Sequence, residues 1–116
     1  MSICRFKEKY TLSERQKESS RVLAKYPQKI PIIVEPGSES VPQIDKEKYL
    51  VPSEMTIGQF QFVIRKRLSL NSESALFIFI NNSMQPTGEL LSNVYNNHKD
   101  EDNFLYITYC LENTFG

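Results

Sequence analysis

Side chains suited to catalysis or metal binding are few and scattered in this sequence. The single histidine, His98, lies in a polar stretch, and Cys4 and Cys110 have no metal-type spacing to each other or to it. Four glycines do not form a phosphate-binding loop, and the acidic run 100–102 is predicted to be a solvated loop. A catalytic site needs a nucleophile with a base, paired carboxylates or metal ligands. The sequence therefore indicates a protein that is not an enzyme and holds no metal or cofactor.

Segment 46–52 offers chemistry of another kind, backbone pairing with a partner. Residues 48–52 predict a short strand ended by a proline, which cannot donate to a sheet ladder. Because side chains alternate along a strand, Tyr49 and Val51 face one side while Lys48 and Leu50 face the other. A strand of this kind at a sheet edge can add a partner's strand. An ordinary edge strand kept soluble by its lysines explains the same residues equally well.

Length and composition are those of one globular domain, with 116 residues, 40% of them hydrophobic and 24% charged. No apolar run is long enough for a membrane-spanning helix, and no apolar stretch after Met1 predicts a signal peptide. Two cysteines are too few for a disulfide scaffold, so a cytosolic protein with free thiols is expected.

The net charge is zero, but residues 1–30 carry +5. This basic segment predicts either steering of an acidic partner or a solvated helix face.

Two helices are predicted before the strands. A short helix covers 2–10, and the capping box that begins at Thr11 starts a second helix, which ends near Lys25 before a Tyr-Pro pair. A polar run interrupts the inward-facing stripe of the second helix, as in helices that lie on a domain. The residues of that stripe are Leu12, Val22, Leu23 and Tyr26.

The rest of the chain alternates between strands and helices. Strands are predicted at 29–35, 48–52, 75–80 and 104–110, and helices at 56–68 and 90–97. Four strands with one main helix suit an α+β sheet with the helix on one face.

Many collinear segments of the chain resemble one family, the autophagy-related ubiquitin-like modifiers of autophagy-related protein eight and the GABA-receptor-associated protein. The matching segments lie at 25–27, 30–35, 45–52, 56–60, 63–67, 77–82, 95, 98–100, 104–106 and 112–116. The resemblance implies a ubiquitin-like β-grasp, a four-stranded mixed sheet with one main crossing helix, preceded by two N-terminal helices. It implies an extension at 1–26, a ubiquitin-like domain at 27–110 and a conjugation tail at 111–116. It also places the strand at 48–52 on the sheet edge.

The resemblance assigns a hydrophobic pocket to each face of this strand. Pocket one, towards the second helix, comprises Glu18, Val22, Pro31, Ile33, Lys48, Leu50 and Phe104. Pocket two, towards the helix at 56–68, comprises Tyr49, Val51, Pro52, Met55, Phe60 and Val63. Peptides of autophagy receptors and adaptors would add a strand here, with an aromatic residue in pocket one and an aliphatic residue three positions later in pocket two. Plain core packing is the alternative role, above all for Ile33 and Leu50.

Further residues acquire roles through the same resemblance. Lys29, Lys46 and Arg67, with Lys48, would meet acidic residues that flank the peptide. Phe77 and Phe79 would form a second, separate docking surface, although partial core packing is the plainer reading of these two rings.

Gly116 would be joined to phosphatidylethanolamine by E1-like and E2-like enzymes and released by a cysteine protease, so two acyl chains would anchor the protein. The protein would be cytoplasmic when free and lie on autophagosome and vacuole or lysosome membranes when lipidated. The sequence leaves open whether Gly116 is the encoded end or a trimmed one.

One rival reading belongs to a different class of function. An unconjugated adaptor would use its basic N-terminal helices to bind an acidic surface such as tubulin. Nucleic-acid binding is not expected, because the basic segment has no recognisable binding motif.

Overall fold

Four helices and four strands make up the regular structure of residues 5–111, the part of the chain described by this computed structural model. In chain order they are α1 (Arg5–Lys9), α2 (Leu12–Lys25), β1 (Lys29–Pro36), β2 (Lys48–Pro52), α3 (Ile57–Leu68), β3 (Leu76–Phe79), α4 (Leu91–His98) and β4 (Leu105–Leu111). All the predicted elements are present: β2 has the predicted bounds, and the other ends within residues 5–111 differ from the prediction by at most one residue. The predicted start of the first helix, at residue 2, lies outside the described part. Residues 1–4 and 112–116, including Gly116, lie outside the described part.

The strands form one mixed sheet in the order β2-β1-β4-β3. The central strands β1 and β4 run parallel, and each pairs with an antiparallel outer strand. β1 is buried along nearly its whole length, as expected of a strand covered on both faces. The predicted edge position of β2 is confirmed.

Helix α3 covers one face of the sheet and forms the main core with it. Its residues Ile57, Phe60 and Ile64 are fully buried and belong to one cluster with Ile32 and Val34 of β1. A capping box at its N-cap, Thr56, was predicted and is present. The apolar spacing of this helix therefore explains its position.

The opposite face of the sheet carries α1 and α2 over a second, smaller cluster. Phe6 of α1 is buried there against Ile33 and Phe104, with Tyr106 at the margin. The buried Glu35 carboxylate accepts a hydrogen bond from the Phe6 backbone N–H at 2.8 Å. The two N-terminal helices therefore pack on this face of the sheet.

Helix α2 begins with the predicted capping box, but its buried residues are polar. Thr11 accepts a hydrogen bond from the Glu14 backbone N–H at 3.1 Å, and the Glu14 carboxylate accepts one from the Thr11 N–H at 2.8 Å. Arg15 and Ser19 are the buried residues of the helix. The expected apolar stripe is wrong in part, since Tyr26 is 40% exposed. The reason is that α2 is held by a polar contact with the loop before β4.

That contact centres on Asp102, which is fully buried. The Arg15 Nη1 donates to its carboxylate at 2.6 Å, and the Tyr106 hydroxyl does so at 2.5 Å. Ser19 Oγ donates to the Asp102 carbonyl at 2.6 Å. Burial and the Asp102 carboxylate raise the pKa of Tyr106, so its hydroxyl stays a donor. The prediction that 100–102 is a solvated loop is wrong for Asp102, because this carboxylate anchors a helix.

Replacing one member of a buried ion pair leaves the other charge without its partner, which is strongly destabilising. Asp102→Asn should therefore lower the free energy of unfolding by about 3 kcal/mol. The measurement is urea unfolding followed by circular dichroism. Glu101→Gln, at the exposed neighbouring position, is the matched control and should change stability by less than about 0.5 kcal/mol. Equal stability of the two variants would contradict the role given to Asp102.

Candidate functional site: an edge-strand docking surface

The outer edge of β2 is the feature on which the candidate site is built. Within residues 5–111 this strand pairs with β1 on one side, and no other strand covers its outer side. Tyr49 and Val51 are buried, Leu50 is half-buried, and Lys48 and Pro52 are exposed. The predicted alternation of faces is confirmed, and backbone groups along the outer edge face away from the sheet.

A cavity of about 180 Å³ lies on the α2 side of β2, at the position of pocket one. It is lined by Glu18, Val22, Pro31, Lys46, Lys48, Tyr49, Leu50 and Phe104. Six of the seven residues predicted for pocket one are thus brought together. Ile33 is not on the wall; it is fully buried and supports Phe104 within the smaller cluster.

The mouth of pocket one carries an ion-pair network. Lys48 Nζ lies 3.3 Å from Glu18 Oε2, and Arg21 Nη2 lies 2.9 and 3.0 Å from the two Glu18 oxygens. The Arg21 hydrogen bond and the Lys48 ammonium lower the pKa of Glu18, so its carboxylate stays ionised. An apolar cavity with charges at its rim suits an aromatic side chain whose backbone stays close to polar groups.

The predicted residues of pocket two surround a tightly packed floor. The Tyr49 and Phe60 rings meet edge to face with centroids 5.4 Å apart, and Phe60 is fully buried. Met55 and Val63 are half-buried above this core, and Pro52 is exposed at the strand end. These residues present an apolar surface over the core, and their role in binding stays a prediction.

The residues predicted to meet acidic peptide flanks differ in their surroundings. Arg67 binds both carboxylate oxygens of Asp45 at 3.1 Å, which ties the segment before β2 to α3. Lys46 Nζ lies 5.2 Å from the centre of the Tyr49 ring and also lines pocket one. Lys29 begins β1 and is half-buried. Sequence reasoning did not predict Asp45 as the internal partner of Arg67, because no local pattern links positions 22 residues apart.

Phe77 and Phe79 lie on β3, the strand at the opposite edge of the sheet from β2. Both rings are half-buried, whereas Leu76 and Ile78 are buried in the core. A docking surface formed by Phe77 and Phe79 would be separate from the two pockets, and this role also stays a prediction.

Basic residues of the N-terminal segment are in several cases already paired with carboxylates of the domain. Lys7 pairs with Asp100, Lys9 with Glu47, and Arg15 with Asp102 and, at 3.9 Å, with Asp100. Arg21 pairs instead with Glu18 of its own helix. Much of the +5 charge is therefore balanced locally. His98, expected at the surface, ends α4 and is hydrogen-bonded to the Asn81 side chain at 3.0 Å.

Residues 5–111 contain neither a cluster of metal ligands nor a membrane-spanning helix. No group of three or more histidine, cysteine, aspartate or glutamate side chains there is arranged to hold a metal ion. None of the helices in this part of the chain is long and apolar enough to cross a membrane.

A mixed four-stranded sheet crossed by one main helix, with two helices before it, defines a protein with the ubiquitin-like fold. The family described as "Autophagy protein Atg8 ubiquitin like" matches residues 14–116. This chain belongs to the Atg8 family of ubiquitin-like autophagy modifiers, whose members are not enzymes.

Similar proteins cover nearly the whole chain. Autophagy-related protein 8e of Arabidopsis thaliana is 57% identical over 96% of this chain and 92% of its own length. The crystal structure of Trypanosoma brucei ATG8 superposes with a TM-score of 0.92 at 39% identity, covering 99% of this chain and 100% of that one. Plasmodium falciparum Atg8, solved in complex with a Plasmodium falciparum Atg3 peptide, has a TM-score of 0.84 at 31% identity, covering 95% of this chain and 96% of that one.

The Tyr49 hydroxyl gives a test of the packing at pocket two. It is buried without a hydrogen-bond partner among the described residues, and burial raises the pKa of Tyr49. Tyr49→Phe should therefore leave the free energy of unfolding unchanged or raise it by up to about 1 kcal/mol. Tyr109→Phe is the matched control, since the Tyr109 hydroxyl donates to the Pro42 carbonyl and its loss should cost about 1 kcal/mol. Thermal unfolding of both variants compares them, and a larger loss for Tyr49→Phe would show that its hydroxyl is bonded in solution.

Proposed function

We propose that this protein is a modifier that is conjugated through Gly116 to phosphatidylethanolamine and recruits autophagy receptors and adaptors through the edge of β2. The observation that carries the proposal is the outer edge of β2, which no other strand of residues 5–111 covers, with a cavity on one face and an apolar surface on the other. Membership of the Atg8 family supports the autophagic setting.

Recruitment would occur by strand addition along β2. The partner's main chain would pair with the outer edge of β2, and its side chains would point alternately to the two faces. An aromatic residue would fill pocket one beside Leu50 and Phe104, and an aliphatic residue three positions later would lie on Met55 and Val63 of pocket two. Exposed Lys48 and Lys46 would favour acidic residues next to these anchors.

Conjugation would use the C-terminal glycine, which is outside the described residues. E1-like and E2-like enzymes would activate and transfer the tail, and a cysteine protease would reverse the reaction. The complex of Plasmodium falciparum Atg8 with an Atg3 peptide supports an E2-like partner for this chain. Two acyl chains would hold the lipidated form on autophagosome and vacuole or lysosome membranes, whereas the free form would be cytoplasmic.

The adaptor reading receives less support from the site. An acidic partner such as tubulin would need free basic groups on the N-terminal helices, and Lys7, Lys9 and Arg15 already form ion pairs with the domain. Such a partner would have to compete with these internal carboxylates.

Leu50→Ala should weaken binding of a peptide with the aromatic-x-x-aliphatic spacing at least tenfold, about 1.4 kcal/mol. The reason is that Leu50 forms part of the wall of pocket one without being fully buried in the core. Fluorescence anisotropy of a labelled peptide measures the change. Phe62→Ala is the control, because it removes an exposed ring of α3 that lines neither pocket. Equal affinity of a folded Leu50→Ala protein would contradict the pocket assignment.

The lipidation step is tested with purified E1-like and E2-like enzymes and liposomes that contain phosphatidylethanolamine. The 116-residue chain should form a lipid adduct that migrates faster on urea gels, and Gly116→Ala should form none. A relative conjugated by the same enzymes is the positive control. Absence of the adduct for the unaltered chain in an assay that conjugates the relative would remove the conjugation part of the proposal.

A further inference from the structure

A second cavity, upstream of pocket one along β2, is not explained by the two pockets. It has a volume of about 280 Å³ and lies between α1, α2 and the start of β2. Its lining residues are Phe6, Tyr10, Glu14, Arg15, Glu18 and Lys48. It shares Glu18 and Lys48 with pocket one, so the ion pair of these two residues separates adjoining cavities.

The direction of the elements orders the three sites along a bound strand. β2 is antiparallel to β1, with Lys48 opposite Ile33 and Pro52 opposite Lys29. Glu14 of α2 lines a cavity with Lys48, and Val22, two turns later, lines pocket one with Leu50, so the helix and β2 run the same way past the two cavities. The upstream cavity, which contains Glu14, therefore precedes pocket one, which contains Val22, and pocket two follows at the end of β2.

Strand geometry then fixes which residue of a partner reaches the upstream cavity. Side chains two positions apart point to the same face and are about 6.6 Å apart. With the aromatic anchor in pocket one, the residue two positions before it faces the same side. This residue, here called the minus-two residue, would meet the rings of Phe6 and Tyr10.

The charges around the cavity distinguish among possible minus-two residues. Arg15 is paired with buried Asp102, Lys48 with Glu18, and neighbouring Lys9 with Glu47. The Glu14 carboxylate has a different partner, since its Oε1 accepts a hydrogen bond from the Thr11 backbone N–H. Among residues 5–111, no cationic side chain lies within 4 Å of it in an ion pair. Glu14 therefore offers an unmatched negative charge at the wall.

The aromatic part of the cavity suits the stem of a long basic side chain. Phe6 forms a buried floor, and the Tyr10 ring, 42% exposed, stands 5.1 Å from it between ring centroids. A guanidinium group stacks on such a ring while its donors reach a carboxylate. Lys9 Nζ lies 6.0 Å from the centre of the Tyr10 ring, but it is held by Glu47. An acidic side chain in the same place would meet the unmatched charge of Glu14, because the cations of the lining, Arg15 and Lys48, are already paired.

We infer that the upstream cavity is a third subsite of the peptide surface and selects an arginine two positions before the aromatic anchor of the partner. The inference depends on the proposed peptide-binding function, which it extends by one specificity-determining contact. Glu14 supplies the charge and Tyr10 the stacking surface.

The test uses labelled peptides of the form Gly-Ser-Xaa-Ser-Trp-Ser-Ser-Leu-Ser-Gly, in which Xaa is arginine, leucine, alanine or aspartate. Anisotropy titrations at low salt should give the arginine peptide about fivefold tighter binding than the alanine peptide, in the range of an exposed ion pair plus a cation–π contact. The aspartate peptide should bind more weakly than the alanine peptide. High salt should reduce these differences because the contact is exposed.

Three variants separate the contribution of charge from that of stacking. Glu14→Gln removes the charge but keeps the capping box, in which glutamine serves as well as glutamate, so the arginine preference should fall to about twofold or less. Tyr10→Ala should reduce it as well, and Tyr10→Phe should retain it.

The outcomes distinguish failure of the inference from failure of the proposed function. Equal binding of the arginine and alanine peptides, tighter binding of the leucine peptide, or an arginine preference that survives in Glu14→Gln would overturn the third subsite and leave the two pockets intact. Failure of every peptide to bind the unaltered protein would overturn the proposed peptide surface and this inference with it.

Discussion

The buried ion pair between Arg15 and Asp102 determines where helix α2 lies. The two groups are 2.6 Å apart, and the Asp102 carboxylate also accepts hydrogen bonds from the Tyr106 hydroxyl and the Phe104 backbone N–H. A buried carboxylate is tolerated only when its oxygens are bonded in this way. Because the buried residues of α2 are polar, this network attaches α2 to the domain, whereas apolar packing attaches α3.

The different attachment of the two helices explains why the two faces of β2 differ. On one face, Phe60 and the other apolar residues of α3 fill the space against Tyr49 and Val51. On the other face, the anchor of α2 lies at Arg15, beside the loop before β4, and the helix does not fill the space over Leu50. The remaining volume is the cavity between Val22 and the strand. An open first pocket is thus a consequence of a helix held at its N-terminal half.

Local sequence patterns were enough to predict the elements but not the contact that arranges them. Both capping boxes, the proline end of β2 and the apolar spacing of α3 are encoded within a few residues, and each is present in the structure. Arg15 and Asp102 are 87 positions apart, and each looks like a solvated charge in its own segment. The strand order was likewise supplied by resemblance, since connection rules alone leave several orders open. Ile33 lies behind Phe104 rather than on the wall of pocket one. Alternation predicts the face to which a side chain points but not how deeply it is buried.

The two faces of β2 also account for how an edge strand of this kind can select a partner instead of aggregating. A spacing of three places the two anchors of a proposed partner on opposite faces, whereas a spacing of two or four would place both on the same face. A slip of one residue would move the aromatic anchor from the cavity onto the packed surface above Phe60, so register is specified by side chains as well as by backbone pairing. Exposed Lys48 and the proline at the strand end make indiscriminate pairing with another copy of the edge less favourable. Selection at this edge therefore depends on two faces that differ in shape, and the buried ion pair that holds α2 keeps the cavity on the first face open.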